Sequence, residues 1–167
     1  QMMQQLTPSA GMSKHEELVE TYAAHYLNPN NHHMRLFPDV PPTLERLREA
    51  GYWLSVATGK GRSGLNQAIA QTGTGDFWLA TACASECPSK PAPDMVWRLC
   101  DELGVMPSES IVIGDTAFDL EMAAHAGARG IGVTTGAHSR ETLQSAPNIG
   151  ILSCFGELEG FLQRQGS

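Results

Sequence analysis

Basic residues are scarce in this chain: 11 lysines and arginines stand against 18 aspartates and glutamates, giving a formal net charge of −7. General binding to nucleic acid needs a basic face that displaces counterions from phosphates, so the acidic balance argues against a nucleic-acid partner. No apolar run approaches the length of about 18 residues that marks a membrane span, and no secretory leader pattern is present. We therefore expect no membrane partner.

Cysteines are also few, and their spacing is uninformative. Cys83, Cys87, Cys100 and Cys154 form no C-x-x-C pair and are too sparse for a disulfide scaffold. Cys83 and Cys87 would make half of a metal site, but no nearby spacing supplies two further ligands. We expect reduced thiols and a cytoplasmic location.

The 167 residues, 41% of them hydrophobic, suffice for one domain with a sizeable core. Residues 1–12 are polar and predict an irregular lead-in. Ser13 and Glu16 form a capping box, which predicts a helix to about Leu27. We assign residues 13–35 to a partial helical cap and residues 36–167 to an α/β core.

The core is predicted to alternate between strands and helices. The predicted strands are 52–57, 78–82, 110–113, 131–134 and 149–152, and the predicted helices are 41–50, 63–72, 93–103, 118–126, 140–144 and a last one from residue 157. Alternation at this spacing is typical of βαβ units, in which helices cover both faces of a parallel sheet. The fold class expected is therefore α/β, with a Rossmann-like parallel sheet.

Functional residues in such sheets lie at the carboxyl ends of the strands. The first predicted strand of the core ends in V-A-T-G-K-G. Thr58, Gly59 and Lys60 precede a predicted helix, so a hydroxyl, backbone N–H groups and a positive helix end are available to an anion such as phosphate. The alternative is an ordinary turn between a strand and a helix.

Lys90 follows the second strand, in the stretch S-K-P-A-P-D. It lies between Ser89 and Pro91, on a stiff segment just before a helix that begins with proline, so the lysine would lose little conformational freedom on meeting a negative charge. The alternative is a solvated lysine that precedes a helix.

Two carboxylates follow the third strand in I-V-I-G-D-T-A-F-D. Asp115 leaves the strand and Asp119 lies four residues later, on the same side of the next helix and close to its positive end. Two such oxygen donors suit Mg²⁺, which keeps several waters and takes one or two protein carboxylates. The alternative is that Asp115 caps the helix while Asp119 interacts with its dipole. A receiver-type signalling domain does not fit, because its acids precede its hydroxyl and its lysine.

The three stretches V-A-T-G-K, S-K-P-A-P-D and I-G-D-T-A-F-D-L-E-M-A-A-H-A-G resemble the second, third and fourth motifs of haloacid dehalogenase-like hydrolases. The likeness is to the phosphoglycolate-phosphatase-like branch and runs from about Leu36 to the C-terminus. It implies a core of that fold with a truncated helical cap at the N-terminus. It also implies Mg²⁺-dependent hydrolysis of phosphorylated small molecules.

The resemblance assigns a role to each candidate residue. Thr58, with Gly59 beside it, would hydrogen-bond the transferring phosphoryl group, and Lys90 would neutralise that group. Asp115 would ligate Mg²⁺, and Asp119 would support the metal site or orient Lys90. Thr58, Lys90 and Asp119 are thus the candidate catalytic residues, and Asp115 and Asp119 the candidate metal ligands.

The first motif of that family, Asp-x-Asp-Gly-Thr, supplies the attacking carboxylate and has no counterpart here. The aspartates stand at positions 39, 76, 94, 101, 115 and 119, so no two are two residues apart. Asp39 lies in a turn before a helix, a poor position for a nucleophile. We therefore expect impaired activity from this chain alone.

The missing motif would also bring the strand between those ending at Thr58 and Ile113. Those strands must then pair directly or find another partner for their backbone groups, because unpaired buried N–H and C=O groups are costly. A homodimer or a complementing chain is the expected partner. The alternative functions are a non-catalytic module that binds phosphate and Mg²⁺, and a protein-interaction module.

Overall fold

The computed structural model describes residues 2–8, 19–22, 25–26 and 34–166, with side chains from residue 36 onward. The strands are β1 (Met2–Pro8), β2 (Val19–Tyr22), β3 (His25–Tyr26), β4 (Met34–Arg35), β5 (Tyr52–Thr58), β6 (Trp78–Cys83), β7 (Ile111–Gly114), β8 (Arg129–Val133) and β9 (Gly150–Leu152). The helices are α1 (Val40–Glu49), α2 (Arg62–Thr72), α3 (Asp94–Leu103), α4 (Ala117–Ala126), α5 (Arg140–Gln144) and α6 (Leu158–Gln165).

Seven strands form one sheet in the order β6-β5-β1-β2-β7-β8-β9, and β3 pairs with β4 in a separate two-stranded sheet. The pairs β5–β6, β7–β8 and β8–β9 are all parallel, as βαβ connections require. Strand β1 runs antiparallel to its neighbours. The large sheet is thus parallel except at its centre.

Successive residues of β7 enter different halves of the core. Ile111 and Ile113 pack with apolar residues of α1 and α6, whereas Val112 packs with apolar residues of α3 and α4. This alternation follows from the two-residue period of a strand, which sends neighbouring side chains to opposite faces. Helices therefore cover both faces, and the predicted fold class, an α/β Rossmann-like sheet flanked by helices, is confirmed.

Glycine ends two of the helices that frame the site. Gly73 follows α2 at a φ of 65°, and Gly127 follows α4 at a φ of 86°. Side chains disfavour this left-handed conformation, so glycine is the usual residue there. These stops were predicted from the sequence, and the elements from residue 40 onward agree with the predicted ones to within about two residues, the usual uncertainty of helix ends.

The prediction for the first 35 residues is wrong in the part that the structure describes. Residues Val19–Tyr22 and His25–Tyr26 are strands, although a helix was predicted over 13–27, and Met2–Pro8 is a strand rather than part of an irregular lead-in. Pairing with the large sheet overrides local propensity for Met2–Pro8 and Val19–Tyr22, because β5 and β7 offer backbone groups that need partners. The other residues of the predicted helix lie outside the described ranges, and the assignment of 13–35 to a cap stays a prediction.

The central position of the sheet, between β5 and β7, is filled by the chain itself. Strand β1 pairs along its whole length with β5, from Met2 opposite Thr58 to Pro8 opposite Tyr52, and also reaches β7. Strand β2 completes the position by pairing with β7 in parallel. The sequence left two alternatives, direct pairing of β5 with β7 or pairing of both with another strand. The structure has the second, and the strands between them belong to the same chain. A homodimer or complementing chain stays a prediction.

Among the described helices, none is both long and apolar enough to cross a membrane.

Candidate active site

The ends of β5, β6 and β7 meet around one cavity at the carboxyl edge of the sheet. The cavity has a volume of about 330 Å³ and is lined by Gly59, Lys60, Lys90, Thr116, Phe118 and Asp119. The three predicted loops thus come together in space, as parallel topology requires.

Thr58 and Gly59 form the turn that leaves β5. The Thr58 side chain is buried, and its Oγ1 accepts a hydrogen bond from the Lys60 N–H at 3.1 Å. This bond of a hydroxyl to a backbone N–H two residues on fixes the turn. The Lys60 carbonyl accepts from the Ala84 N–H at 3.0 Å, which ties this turn to the chain leaving β6.

Lys90 and Asp119 form an ion pair in the cavity wall. The Lys90 Nζ lies 3.0 Å from Asp119 Oδ1, and the two side chains are 12% and 1% exposed. Charges that are this well shielded from water interact more strongly than exposed ones, so the pair fixes the lysine head group.

The other oxygen of Asp119 belongs to the cap of α4. Oδ2 accepts from the Thr116 N–H at 3.0 Å, while Thr116 Oγ1 accepts from the Asp119 N–H at 3.3 Å. This is a reciprocal capping box. The alternative interpretation of Asp115 as the helix cap is therefore wrong, because Thr116 occupies that position.

Asp115 is fully buried beside this pair. Its Oδ2 accepts a hydrogen bond from the Ala137 N–H at 2.7 Å. Burial raises the pKa of Asp115 to about 6, and the nearby charge of Asp119 adds to the rise, whereas the Ala137 bond and Lys90 oppose it. A cation next to Asp115 would relieve the cost of its buried charge.

Two glycines leave the space that the side chains of Asp115 and Asp119 occupy. A Cβ on Gly114 would overlap the Asp119 side chain, and a Cβ on Gly136 would overlap the Asp115 side chain. The backbone therefore approaches both acids more closely than any other residue would permit.

The donor set fits a hard cation. Within the part of the chain that the structure describes, no cluster of three or more His, Cys, Asp or Glu residues could hold a metal. Asp115 and Asp119 nevertheless supply two neighbouring carboxylates, and Mg²⁺ commonly binds through one or two carboxylates, waters and substrate oxygens.

The structure brings Gly59, Lys90 and Asp119 to the cavity surface, and it buries Thr58 and Asp115 next to them. Sequence reasoning missed Thr116 and the half-exposed Phe118 as lining residues. The spacing T-x-x-D at residues 116–119 is a capping signal that could have identified Thr116. Phe118 carries no comparable signal.

His138 has a structural contact at the same place. Its Nδ1 accepts from the Ala117 N–H at 2.9 Å, so the ring binds the start of α4. The ring centroid also lies 5.9 Å from that of Phe118. His138 is not among the residues that line the cavity.

The fold and the site together define a class of protein: an α/β sheet with a glycine turn, a shielded lysine and two carboxylates at its carboxyl edge, the edge at which such sheets bind ligands. The chain belongs to the haloacid dehalogenase-like hydrolase family, whose family model matches residues 1–155. The resemblance to the phosphoglycolate-phosphatase-like branch is also confirmed by its relatives.

Curated relatives include Pyrophosphatase PpaX of Bacillus velezensis, 29% identical over 133 residues, which are 79% of this chain and 62% of that protein. A phosphoglycolate phosphatase of Mannheimia succiniciproducens is 29% identical over 121 residues, covering 72% of this chain and 54% of the relative. The chain thus spans between about half and three fifths of the length of these relatives.

Solved structures share the fold. The crystal structure of a predicted phosphoglycolate phosphatase from Haemophilus somnus superposes with a TM-score of 0.72 at 27% identity, covering 78% of this chain and 58% of that one.

Proposed function

We propose that this site binds the phosphoryl group of a phosphorylated small molecule and takes part in its Mg²⁺-dependent hydrolysis. The observation that carries the proposal is the shielded ion pair of Lys90 and Asp119, 3.0 Å apart, in a cavity that the β5 turn also lines. The pair holds a cationic head group at the place where an anion can enter.

Two elements of the chain would hold the phosphate. Lys90 would neutralise it, and the turn at Thr58 and Gly59 would donate hydrogen bonds to its oxygens. Helix α2 begins directly after this turn, and its positive end faces the same region. Its N-cap residue, Gly61, supplies no capping side chain, and the Arg62 N–H is bound to Ser85 Oγ at 3.1 Å.

Mg²⁺ would be held by Asp115, with Asp119 adjoining. When bound, the ion would polarise a phosphoryl oxygen and offset negative charge. Both oxygens of Asp119 already have contacts, with Lys90 and with the Thr116 N–H, so we assign Asp119 mainly to orienting the lysine. Asp115 is the carboxylate that a cation would stabilise most, because its charge is buried.

The attacking carboxylate would come from outside these residues. Asp39 is engaged elsewhere, since its Oδ2 accepts from the Gly156 N–H at 2.7 Å, and it does not line the cavity. An incoming carboxylate would form an acyl phosphate and release the alcohol, and water would then release inorganic phosphate. A complementing chain that carries the motif is the partner proposed for this step, because a second copy of this chain would lack the same Asp-x-Asp pair.

The test combines the purified chain with a peptide of the Asp-x-Asp-Gly-Thr type and measures phosphate release from an aryl phosphate in Mg²⁺. We expect hydrolysis with the peptide, its loss in Asp115→Ala and its retention in Asp101→Ala, which removes an exposed acid of α3. If no such segment produces hydrolysis, catalysis by this site is excluded.

A second candidate is a module that binds phosphate and Mg²⁺ without turnover. It is favoured by the spacing of the aspartates, none of which forms an Asp-x-Asp pair. Calorimetry separates the two: phosphate binding that requires Lys90, together with no hydrolysis after the peptide is added, would support this candidate.

We also propose a cytoplasmic location. All four cysteines are free thiols, which suits a reducing compartment.

A further inference from the structure

The loop that carries Lys90 is fixed by an ion-pair cluster outside the cavity. We define the lysine loop as residues 84–91, between β6 and α3. Within it, the Glu86 carboxylate accepts from Arg62 Nε at 2.8 Å and from Arg62 Nη2 at 2.9 Å, so Arg62 binds both oxygens. Arg98 of α3 adds a third contact, with its Nη1 3.0 Å from Glu86 Oε2. The loop is thus joined to the helices on either side of it.

Arg62 connects this cluster to the turn at Thr58 and Gly59. We call this turn the phosphate turn, because the proposed function assigns it to phosphate. Arg62 is the first residue of α2, directly after the turn that contains Gly59. Its N–H donates to Ser85 Oγ at 3.1 Å, and its Nη1 donates to Thr81 Oγ1 at 2.7 Å. The Arg62 side chain therefore binds β6 and the lysine loop, and its backbone N–H binds the lysine loop as well. Because Arg62 follows the turn after β5 in the chain, it joins that turn to both.

The cluster stays charged over a wide range of pH. The hydrogen bond from Arg62 lowers the pKa of Glu86, and the same bond raises the pKa of Arg62. A bidentate pair of arginine and carboxylate also has a more fixed geometry than a single contact, and networks of this kind are exceptions to the weakness of surface ion pairs.

We propose that Glu86 is a positioning residue, which through Arg62 sets the distance between the phosphate turn at Gly59 and the ammonium of Lys90. The inference rests on the proposed function, in which both groups hold one phosphate. Two groups that must bind the same small anion work best when their separation is fixed before the anion arrives.

The test is calorimetry of Glu86→Gln, which preserves the shape of the side chain and removes its charge. We expect inorganic phosphate, in the presence of Mg²⁺, to bind about fivefold more weakly, the upper range for the loss of one such pair. Mg²⁺ alone should bind as it does to the unaltered chain, because its carboxylate, Asp115, is held by the Ala137 N–H, which lies outside the lysine loop.

The matched control is Glu159→Gln. Glu159 forms an ion pair of 2.7 Å with Arg46, with side chains 29% and 46% exposed, against 26% and 35% for Glu86 and Arg62. We expect this change to leave both affinities unaltered. Equal weakening of phosphate and Mg²⁺ binding in Glu86→Gln would assign Glu86 a general stabilising role and overturn the proposal, as would unchanged phosphate binding.

Hydrogen exchange tests the positioning separately from the function. Amide protons of the lysine loop should exchange about fivefold faster in Glu86→Gln and at the original rate in Glu159→Gln. If the unaltered chain binds no phosphate, the proposed function fails, and the exchange rates still test whether Glu86 holds the loop. Unchanged exchange in Glu86→Gln overturns the positioning role whatever the phosphate result.

Discussion

At the scale of single residues, Asp115 carries a cost in stability. A fully buried carboxylate is unfavourable when charged, and burial together with Asp119 raises its pKa from 3.8 to about 6. The folded chain therefore holds this proton at pH values where the unfolded chain has released it. Between about pH 4 and pH 6, the contribution of Asp115 to stability therefore falls as the pH rises, because at this group the unfolded state binds fewer protons.

We predict that Asp115→Asn stabilises the chain at pH 7 in metal-free buffer. The amide cannot ionise, so it removes a cost of about 3 kcal/mol, at 1.36 kcal/mol for each unit of pKa. The measurement is the free energy of unfolding in urea with a chelator present, from pH 4 to pH 7. The difference between the variant and the unaltered chain should grow through this range and level off above pH 6.

The exposed Asp101 provides the control for the loss of one negative charge. Asp101→Asn should give a stability curve parallel to that of the unaltered chain. If the curve of Asp115→Asn is also parallel, the carboxylate does not carry the cost assigned to it.

At the scale of elements, α4 is the helix that organises the site. Its first turn holds Asp119 against Lys90, and near its end the Nδ1 of His125 lies 2.9 Å from the carbonyl oxygen of Pro91, the residue after Lys90. One rigid helix thus contacts the lysine loop at two points. Any change that alters the start of α4 should therefore reach Lys90.

We predict that Thr116→Ala lowers the free energy of unfolding by about 1 kcal/mol, the usual effect of losing a helix cap. It should also weaken phosphate binding, because the Asp119 N–H loses its acceptor, Thr116 Oγ1, and the first turn of α4 that carries Asp119 is held less firmly. Thr116→Ser keeps the hydroxyl and should restore both properties. Unfolding in urea and calorimetry with inorganic phosphate measure the two effects.

Ser139→Ala removes a cap of the same kind from α5, where Ser139 Oγ accepts from the Thr142 N–H at 3.2 Å. This control should cost stability without altering phosphate binding. Equal loss of affinity in the two variants would mean that Thr116 acts through stability alone.

The elements of the core could be predicted because their signals are local. Gly51, Gly73 and Gly127 each mark the end of a helix, and the run Ile111–Ile113 is apolar enough to mark a buried strand. In a parallel sheet the carboxyl ends of the strands lie at the same edge. Lys90 and Asp119, which follow two such ends, could therefore be expected near each other. The sequence could not predict that one Asp119 oxygen contacts Lys90 while the other accepts from the Thr116 N–H, because this depends on the side-chain conformation.

At the scale of the whole molecule, the sheet is continuous because β1 occupies its centre. Sequence patterns could not predict this strand, since Gln4 and Gln5 favour no strand and the pairing partners lie about 50 and 105 residues away. The helix predicted from Ser13 and Glu16 was wrong at Val19–Tyr22 for the same reason. Long-range pairing decided the structure of both segments.

We predict that Gln5→Pro destabilises the chain by about 1–3 kcal/mol, the cost of leaving a buried backbone group without its hydrogen bond. Gln5 lies opposite both Ser55 and Val112, so proline disrupts pairing at the centre of the sheet. Newly exposed strand edges should also promote self-association. Unfolding in urea and light scattering measure the two effects.

Gln5→Ala is the matched control, because it removes the same side chain and keeps the N–H group. It should remain close to the unaltered chain in stability and in size. If both variants behave alike, β1 does not pair at the centre of the sheet in solution.

The direction of β1 has a practical consequence for protein engineering. Because Met2 lies opposite Thr58, a peptide joined ahead of Met2 would emerge near the cavity that Gly59 and Lys90 line. An affinity tag at that end would obstruct access of ligands to the cavity. A designed acidic linker there would instead place a carboxylate at the edge of the sheet where Lys90 lies.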